Sequence, residues 1–156
     1  MKIGVIADTH DNIPKIHRAI EIFNKAKVGL VIHLGDYVAP FSLKPLDNLA
    51  SPWIGIFGNN DGEKKGLKVF SKNRIKNAPL NITIKNKSIL AVHDISCFQK
   101  SKKFDIVLFA HTHSPEIKHE KNSIFVNPGE CGGWLTHASS IAIVDLETLE
   151  PRIIRL

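Results

Sequence analysis

Six short apolar runs, each breaking off at a small polar cluster, constrain the fold of this chain more than any other feature. Met1 to Ala7 (MKIGVIA) runs into Asp8, Thr9 and His10; Val28 to Leu34 (VGLVIHL) into Gly35 and Asp36; Trp53 to Phe57 (WIGIF) into Gly58, Asn59, Asn60 and Asp61. Ser88 to Val92 (SILAV) ends at His93 and Asp94, Phe104 to Phe109 (FDIVLF) at His111 and His113, and Ile124 to Val126 (IFV) at Asn127, Pro128 and Gly129. Runs this short, rich in Val and Ile and bounded by Gly, Asn and Asp, are expected to be buried strands. Between the first two, Ile13, Ile16, Ile20 and Phe23 keep helical spacing behind a start signal at Asp11, Asn12 and Pro14. A second, shorter helix is expected from about Pro40 to Leu49.

The opening third therefore reads βαβαβ, which calls for a parallel sheet with right-handed crossovers. Past residue 80 the texture changes. NITIKNKSILAV and EIKHEKNSIFV read as hairpins turning at Asn86/Lys87 and Lys121/Asn122, and SSIAIVDLETLEPRIIRL adds two more strands. The expectation is an α/β chain with a mixed, largely two-sheet core and helices outside. Its 156 residues fit one domain, 1–156, without internal repeats or a linker.

Several function classes are disfavoured. No apolar run approaches the ~20 residues of a membrane-spanning helix, and MKIGVIADTH turns polar too early for a secretory signal. A cytoplasmic protein without a membrane partner is the expectation. Cys97 and Cys131 stand far apart and outside any CxxC spacing, so both read as plain thiols. A net charge of +6 suits an anionic partner, and the densest basic stretch, EKKGLKVFSKNRIK from Glu63 to Lys76, would sit well beside a phosphate. Few aromatics accompany those lysines and no reading helix or zinc finger is recognisable, so nucleic acid is possible as a partner without being favoured. An exposed apolar strand face would support a homodimer, at no position the sequence singles out.

In open α/β sheets, sites collect beyond the carboxyl ends of the strands. Each polar cluster above sits at such an end, and together they present Asp8, His10, Asp36, Asn59, His93, His111 and His113. Carboxylate and amide oxygens with imidazole nitrogens suit manganese, iron, nickel or zinc, and no thiolate belongs to the set. Seven ligands exceed the needs of one ion and suit two, provided one carboxylate bridges. In extended backbone His111 and His113 would point the same way. Each cluster alone has a plainer reading, as a capped turn, a polar loop or a hydrogen-bonded core histidine. Their joint occurrence after successive strands favours ligands.

The ordered set DTH, GD, GNND, H, AHTH resembles the motif series of the calcineurin-like metallophosphoesterases, and the compact length resembles their small prokaryotic phosphodiesterase branch. The match spans Asp8 to Gly129. It implies a four-layer α/β/β/α sandwich with two mixed sheets. It also implies one divalent metal ion held by Asp8, His10, Asp36 and His113, and a second by Asp36, Asn59, His93 and His111, with Asp36 as the bridge. Manganese or nickel is expected first, with iron or zinc as alternatives. The activity implied is hydrolysis of a phosphodiester in a small phosphoester substrate by a metal-bridging hydroxide, with Asp36 and Asn59 in catalytic roles and Asn12, Asn60 and Asn127 as substrate contacts. Two alternatives stand beside it: a non-catalytic scaffold of the same fold, like the retromer scaffold subunit, or a nuclease.

The chain departs from the family pattern at four places. Ala110 stands where Gly is usual in AHTH, a change of little cost if its φ is negative. Asp94 replaces the Gly that commonly follows the histidine matched by His93, and is placed to orient a ligand or add charge. NPGE replaces NPGS, so Glu130 either repels a substrate anion or faces solvent. Larger relatives place a histidine where Asn60 stands; Asn60 hydrogen-bonds but does not titrate, which disfavours stable alkyl monoesters. His17, His33, His119 and His137 are read as structural or surface residues, with His137 alone a candidate proton donor.

Overall fold

A computed structural model describes residues 1–98 and 103–156. In chain order the elements are β1 (Lys2–Ile6), α1 (Ile13–Lys25), β2 (Leu30–His33), β3 (Trp53–Ile56), α2 (Lys64–Phe70) and β4 (Ile75–Lys76). There follow β5 (Leu80–Ile84), β6 (Lys87–Ala91), β7 (Ile106–Leu108), β8 (Glu116–Glu120), β9 (Ser123–Asn127), β10 (Ser140–Asp145) and β11 (Glu150–Arg155). One sheet has the order β11-β10-β1-β2-β3-β4, parallel from β1 to β4 and antiparallel at the C-terminal hairpin. The other has the order β5-β6-β7-β9-β8, parallel through β6, β7 and β9 and antiparallel at both edges. The six apolar runs are thus the central parallel strands of two mixed sheets, and within each sheet their carboxyl ends share one edge.

Strands covered on both faces read as continuous apolar runs, and the packing shows why these do. Ile3, Val5, Ile32, Leu34 and Ile56 meet Ile89, Ala91, Ile106, Leu108 and Val126 in a core between the sheets. On the outer face of the first sheet, Ile6 and Val31 pack against Ile16, Ala19, Ile20 and Phe23 of α1. Leu90, Val92, Val107 and Phe109 face outward from the second sheet under Ile95, Phe98, Phe104 and Phe125. Among the described residues the helical cover there is one 3-10 turn, Ile95–Cys97, so the fourth layer of the sandwich is thin.

Local chemistry explains where the elements depart from the sequence reading. Asn12 caps α1 as expected, its Oδ1 accepting from Lys15 N at 3.3 Å. The segment expected as a helix up to Leu49 is a 3-10 helix, Pro40–Asn48, because Pro45 inside it has no N–H to continue an α-helical ladder. The basic stretch forms α2 and β4; Glu63 caps α2 by accepting from Gly66 N, and Lys64 and Lys68 lie 5.6 and 5.9 Å from the Phe57 ring centroid. The first hairpin turns one residue earlier than expected, at Lys85/Asn86, with φ of +49° and +61° as a mirror-image two-residue turn requires. The second turns at Lys121/Asn122 as expected. Cys131 is a buried free thiol, whereas the Cys97 side chain lies outside the described residues. No helix among the described residues is long and apolar enough to cross a membrane.

Candidate metal centre

The loop after β1 is laced to the loop after β2 by backbone. Asp8 N donates to Gly35 O, and Thr9 N and His10 N both donate to Asp36 O, each at 3.1 Å. His33 sits beneath this seam: Gly35 N donates to its Nδ1 at 3.2 Å, so its proton is on Nε2, 3.2 Å from Thr9 Oγ1. Burial pushes the His33 imidazole down to about 3, which keeps it neutral. Its ring also stacks on Tyr37 at 3.8 Å.

The loop after β2 is shaped by Asp61, whose place in the GNND cluster suggests only a polar turn. Its buried carboxylate accepts from Asp36 N at 3.0 Å, Tyr37 N at 2.8 Å, Val38 N at 3.0 Å and Gly58 N at 2.8 Å. Asp36 and Val38 have φ of +59° and +85°, so the carboxylate holds a conformation these residues resist. Gly58 is needed for the same contact, since a Cβ there would meet the Asp36 carboxylate and lie 2.6 Å from Asp36 N.

Asp36 Oδ2 lies 3.6 Å from His10 Nε2 and 3.5 Å from His93 Nε2, midway between two groups of donors. Burial alone would raise its pKa, but the His93 ring and the Asn60 donors, N at 2.8 Å and Nδ2 at 2.7 Å, hold it well below the usual carboxylate range. A carbonyl only accepts, so His93 carries a proton on Nδ1 toward Leu34 O at 2.8 Å, and its Nε2 faces Asn59 Oδ1 at 2.8 Å. Burial works against a charged His93 ring, yet Asp36 beside it raises its pKa. An imidazolium proton or a cation satisfies that pair of acceptors equally well.

The AHTH segment corrects the expectation of two imidazoles pointing one way from extended backbone. β7 ends at Leu108, and His111 and His113 both occupy the left-handed region, with φ of +71° and +59°. They separate: His111 lies edge-on to His93 with centroids 5.2 Å apart, and His113 stacks on His10 at 5.4 Å. Ala110 keeps a negative φ and is buried, so the missing glycine carries no strain. Asp8 and His10 are left-handed too, at φ of +50° and +40°; five of the seven candidate ligands thus hold a strained backbone, and such strain gathers at functional sites.

Donor chemistry decides whether a metal fits here. Both oxygens of the fully buried Asp8 carboxylate, with His10 Nε2 and His113 Nδ1, have no hydrogen-bond partner, and burial pushes the Asp8 carboxyl up to about 6. An unpaired buried carboxylate is expensive unless it binds a cation. Asp8, His10 and His113 each place a ligand atom within 4.8 Å of the others, as do Asp8, Asp36 and His93. A divalent transition-type cation suits both groups.

The remaining candidates are placed differently. Asn60 and Asn59 are exposed at the mouth, Asn60 gripping Asp36. Asn12 serves the chain itself, capping α1 and donating to Gly132 O at 2.7 Å. Asn127 is fully buried, donating to Thr112 Oγ1 at 2.9 Å and accepting from Gly129 N at 2.9 Å, contacts that hold the loop. Asp94 caps the Ile95–Cys97 turn through Ser96 N and bonds no ligand ring. His137 is exposed. The solvent-facing expectation for Glu130 is overturned: it is fully buried, accepting from the amides of Trp134, Leu135 and Thr136 at 2.8, 3.1 and 3.0 Å and from Thr136 Oγ1 at 2.8 Å. These donors hold its pKa down against burial, and Oε1 stands 3.5 Å from His113 Nδ1.

A family model for the calcineurin-like phosphoesterase superfamily domain matches residues 1–149. A phosphodiesterase of Methanocaldococcus jannaschii is 38% identical over 165 residues, covering 100% of this chain and 99% of that protein. The solved structure of an archaeal phosphodiesterase superposes with a TM-score of 0.93 at 38% identity, covering all of both chains. YfcE, a phosphoesterase from E. coli, shares the fold at a TM-score of 0.77 and 18% identity, covering 99% of this chain and 98% of that one.

Proposed function

Because this chain belongs to the calcineurin-like phosphoesterase superfamily, a family of metal-dependent hydrolases, we propose that it hydrolyses phosphodiester bonds with a pair of divalent metal ions. The observation that carries this reading is the buried Asp8 carboxylate with neither oxygen partnered, which places a ligand atom within 4.8 Å of those of His10 and His113 and also of those of Asp36 and His93. Asp8, His10, Asp36 and His113 would hold one ion; Asp36, Asn59, His93 and His111 would hold the other. Asp36 would be shared between them, since its Oδ2 is almost equidistant from His10 Nε2 and His93 Nε2. Manganese or nickel suits the mixed oxygen and imidazole set. When bound, the two cations supply an acidified water and positive charge for the phosphoryl oxygens.

The chain's own residues do the rest. Asp36 stands between the two halves of the centre, and Asn59 Oδ1 lies 2.8 Å from His93 Nε2 in one of them. Asn60, exposed beside Asp36, is the substrate contact best placed at the mouth. It titrates at no working pH, so protonation of a poor leaving group is weak and diesters or activated esters are favoured over alkyl monoesters. The test is turnover of an aryl phosphodiester and its monoester in manganese, in nickel and after chelation. The diester is expected to be the faster substrate, with activity lost on chelation and restored by manganese. Turnover indifferent to chelation would end this reading, and Asp36→Asn is expected to weaken binding of both ions.

A further inference from the structure

Among the described residues six large apolar side chains are exposed, and two of them, Trp134 at 59% and Leu135 at 71%, are neighbours in one loop. The others lie on α2, on β8 or in the Pro40–Asn48 helix, and nothing ties those to the metal centre. The Trp134 loop is tied to it at three points. Gly132 N donates to Asp8 O at 2.9 Å, and a Cβ at Gly132 would lie only 2.9 Å from Thr9 O and 3.1 Å from Asp8 O, so glycine alone lets the loop lie flush on the Asp8–His10 segment. Glu130, behind the loop, takes the amides of Trp134, Leu135 and Thr136 and places its Oε1 3.5 Å from His113 Nδ1. The indole itself is pinned, Trp134 Nε1 donating to His10 O at 3.0 Å.

An exposed indole held by its own N–H beside a candidate ligand is a preorganised flat surface, because ordering it on binding costs little further entropy. The rest of the mouth is polar: Asn59, Asn60, His111 and Thr112 are exposed there. A phosphodiester brings the matching partner. Unlike the inorganic anion, it carries two organic groups, and hydrolysis adds water across one P–O bond to leave a phosphomonoester and an alcohol, each keeping one of them. With the phosphoryl oxygens held by the cations, an organic group would lie on the rim.

We propose that Trp134, flanked by Leu135, is a specificity-determining ledge that stacks a planar aromatic group of the phosphodiester, an aryl ring or a nucleobase, beside the metal centre. The inference rests on the phosphodiesterase reading and adds the class of ester the site takes. Stacking of a flat ring on an aromatic side chain corresponds to roughly 5- to 100-fold in affinity.

The experiment is calorimetric titration of the manganese-loaded protein with phenylphosphonate and with methylphosphonate, which share a phosphoryl group and differ in the ring. The wild-type chain is expected to bind the phenyl compound roughly 5- to 100-fold more tightly. Trp134→Ala is expected to bring the ratio near unity, and Trp134→Phe, which keeps a ring, to retain most of it. A wild-type ratio near unity, or a ratio unmoved by Trp134→Ala, overturns the ledge and leaves the phosphodiesterase reading standing, since turnover of the aryl diester is measured separately. Absence of binding of both compounds likewise overturns the ledge, while the phosphodiesterase reading stands or falls on turnover of the aryl diester alone.

Discussion

Asp61→Asn tests whether one buried carboxylate holds the Asp36 loop in its strained form. In the native chain one carboxylate oxygen takes Tyr37 N and Val38 N, and the other takes Asp36 N and Gly58 N, all between 2.8 and 3.0 Å. An amide of the same size has one oxygen. Whichever way it turns, its NH2 faces two backbone donors, so two charge-assisted bonds are lost and two buried N–H groups are left without an acceptor. At about 1.5–3 kcal/mol for each such bond, the loss is about 3–6 kcal/mol. For a chain of this size that corresponds to a fall in Tm of about 10–20 °C. Asp36 is the residue most exposed to the change, because it keeps φ of +59° only while its amide is held. Manganese affinity is therefore expected to fall by roughly 10- to 100-fold, as when a partner behind a metal ligand is removed. Thermal melts with and without manganese and calorimetric metal titration read both effects. Asp47→Asn, at an exposed carboxylate 3.9 Å from Arg74, is the matched control and is expected to move Tm by no more than about 2 °C. A Tm within about 3 °C of wild type, with unchanged manganese affinity, would refute the claim that Asp61 sets this loop.

Asp8→Asn is expected to weaken manganese binding at the His10 and His113 half of the centre yet raise the Tm of the chelated protein at pH 7–8, because it removes a fully buried carboxylate that has no hydrogen-bond partner; a chelated variant that melts below chelated wild type would mean the carboxylate is already compensated within the chain. His33 makes acid stability a test of burial. Its folded pKa is lowered to about 3 from an ordinary 6.5, so between those values the unfolded chain binds the extra proton. Its contribution is fully present above pH 6.5 and is lost as pH falls toward 3, at up to about 1.4 kcal/mol per pH unit. Urea melts of His33→Gln between pH 6.5 and 4.5 are expected to show a shallower dependence than wild type, and an identical slope would mean that His33 titrates normally when folded.

The strands and their loops were legible because a parallel strand buried on both faces must be apolar along its whole length, and its polar residues are pushed to its carboxyl end. Ile3, Val5 and Ile6 show this directly, facing opposite cores and all buried. What escaped reading depended on partners far away in sequence. Glu130 looked like a rim charge because its donors, the amides of Trp134 to Thr136, are backbone and leave no mark in residue types. Asp61 closed a GNND cluster that turn chemistry already explained, although a carboxylate three residues past Gly58 was the available signal that backbone amides would need an acceptor. The AHTH geometry was missed for another reason. Period-two alternation holds only while the backbone stays extended, and the left-handed φ of His111 and His113 is imposed by the loop and not by either residue's preference.

The carboxylates of the centre divide by what neutralises them. Asp61 is surrounded by four backbone amides, Glu130 by three amides and a hydroxyl, and Asp36 by both nitrogens of Asn60. Those donors fix the loops whose strained residues carry the imidazoles. Asp8 alone among these four has no hydrogen-bond partner for either oxygen, while its own amide and carbonyl are tied to Gly35 and Gly132, so it has no freedom to turn toward solvent. Burial of such a carboxylate costs more than the nearby His93 and His113 rings offset, which leaves a bound cation or a proton to relieve the remainder. Metal affinity and marginal stability of the site are then two consequences of one arrangement, and a substitution that lessens the strain is expected to weaken the metal in the same measure.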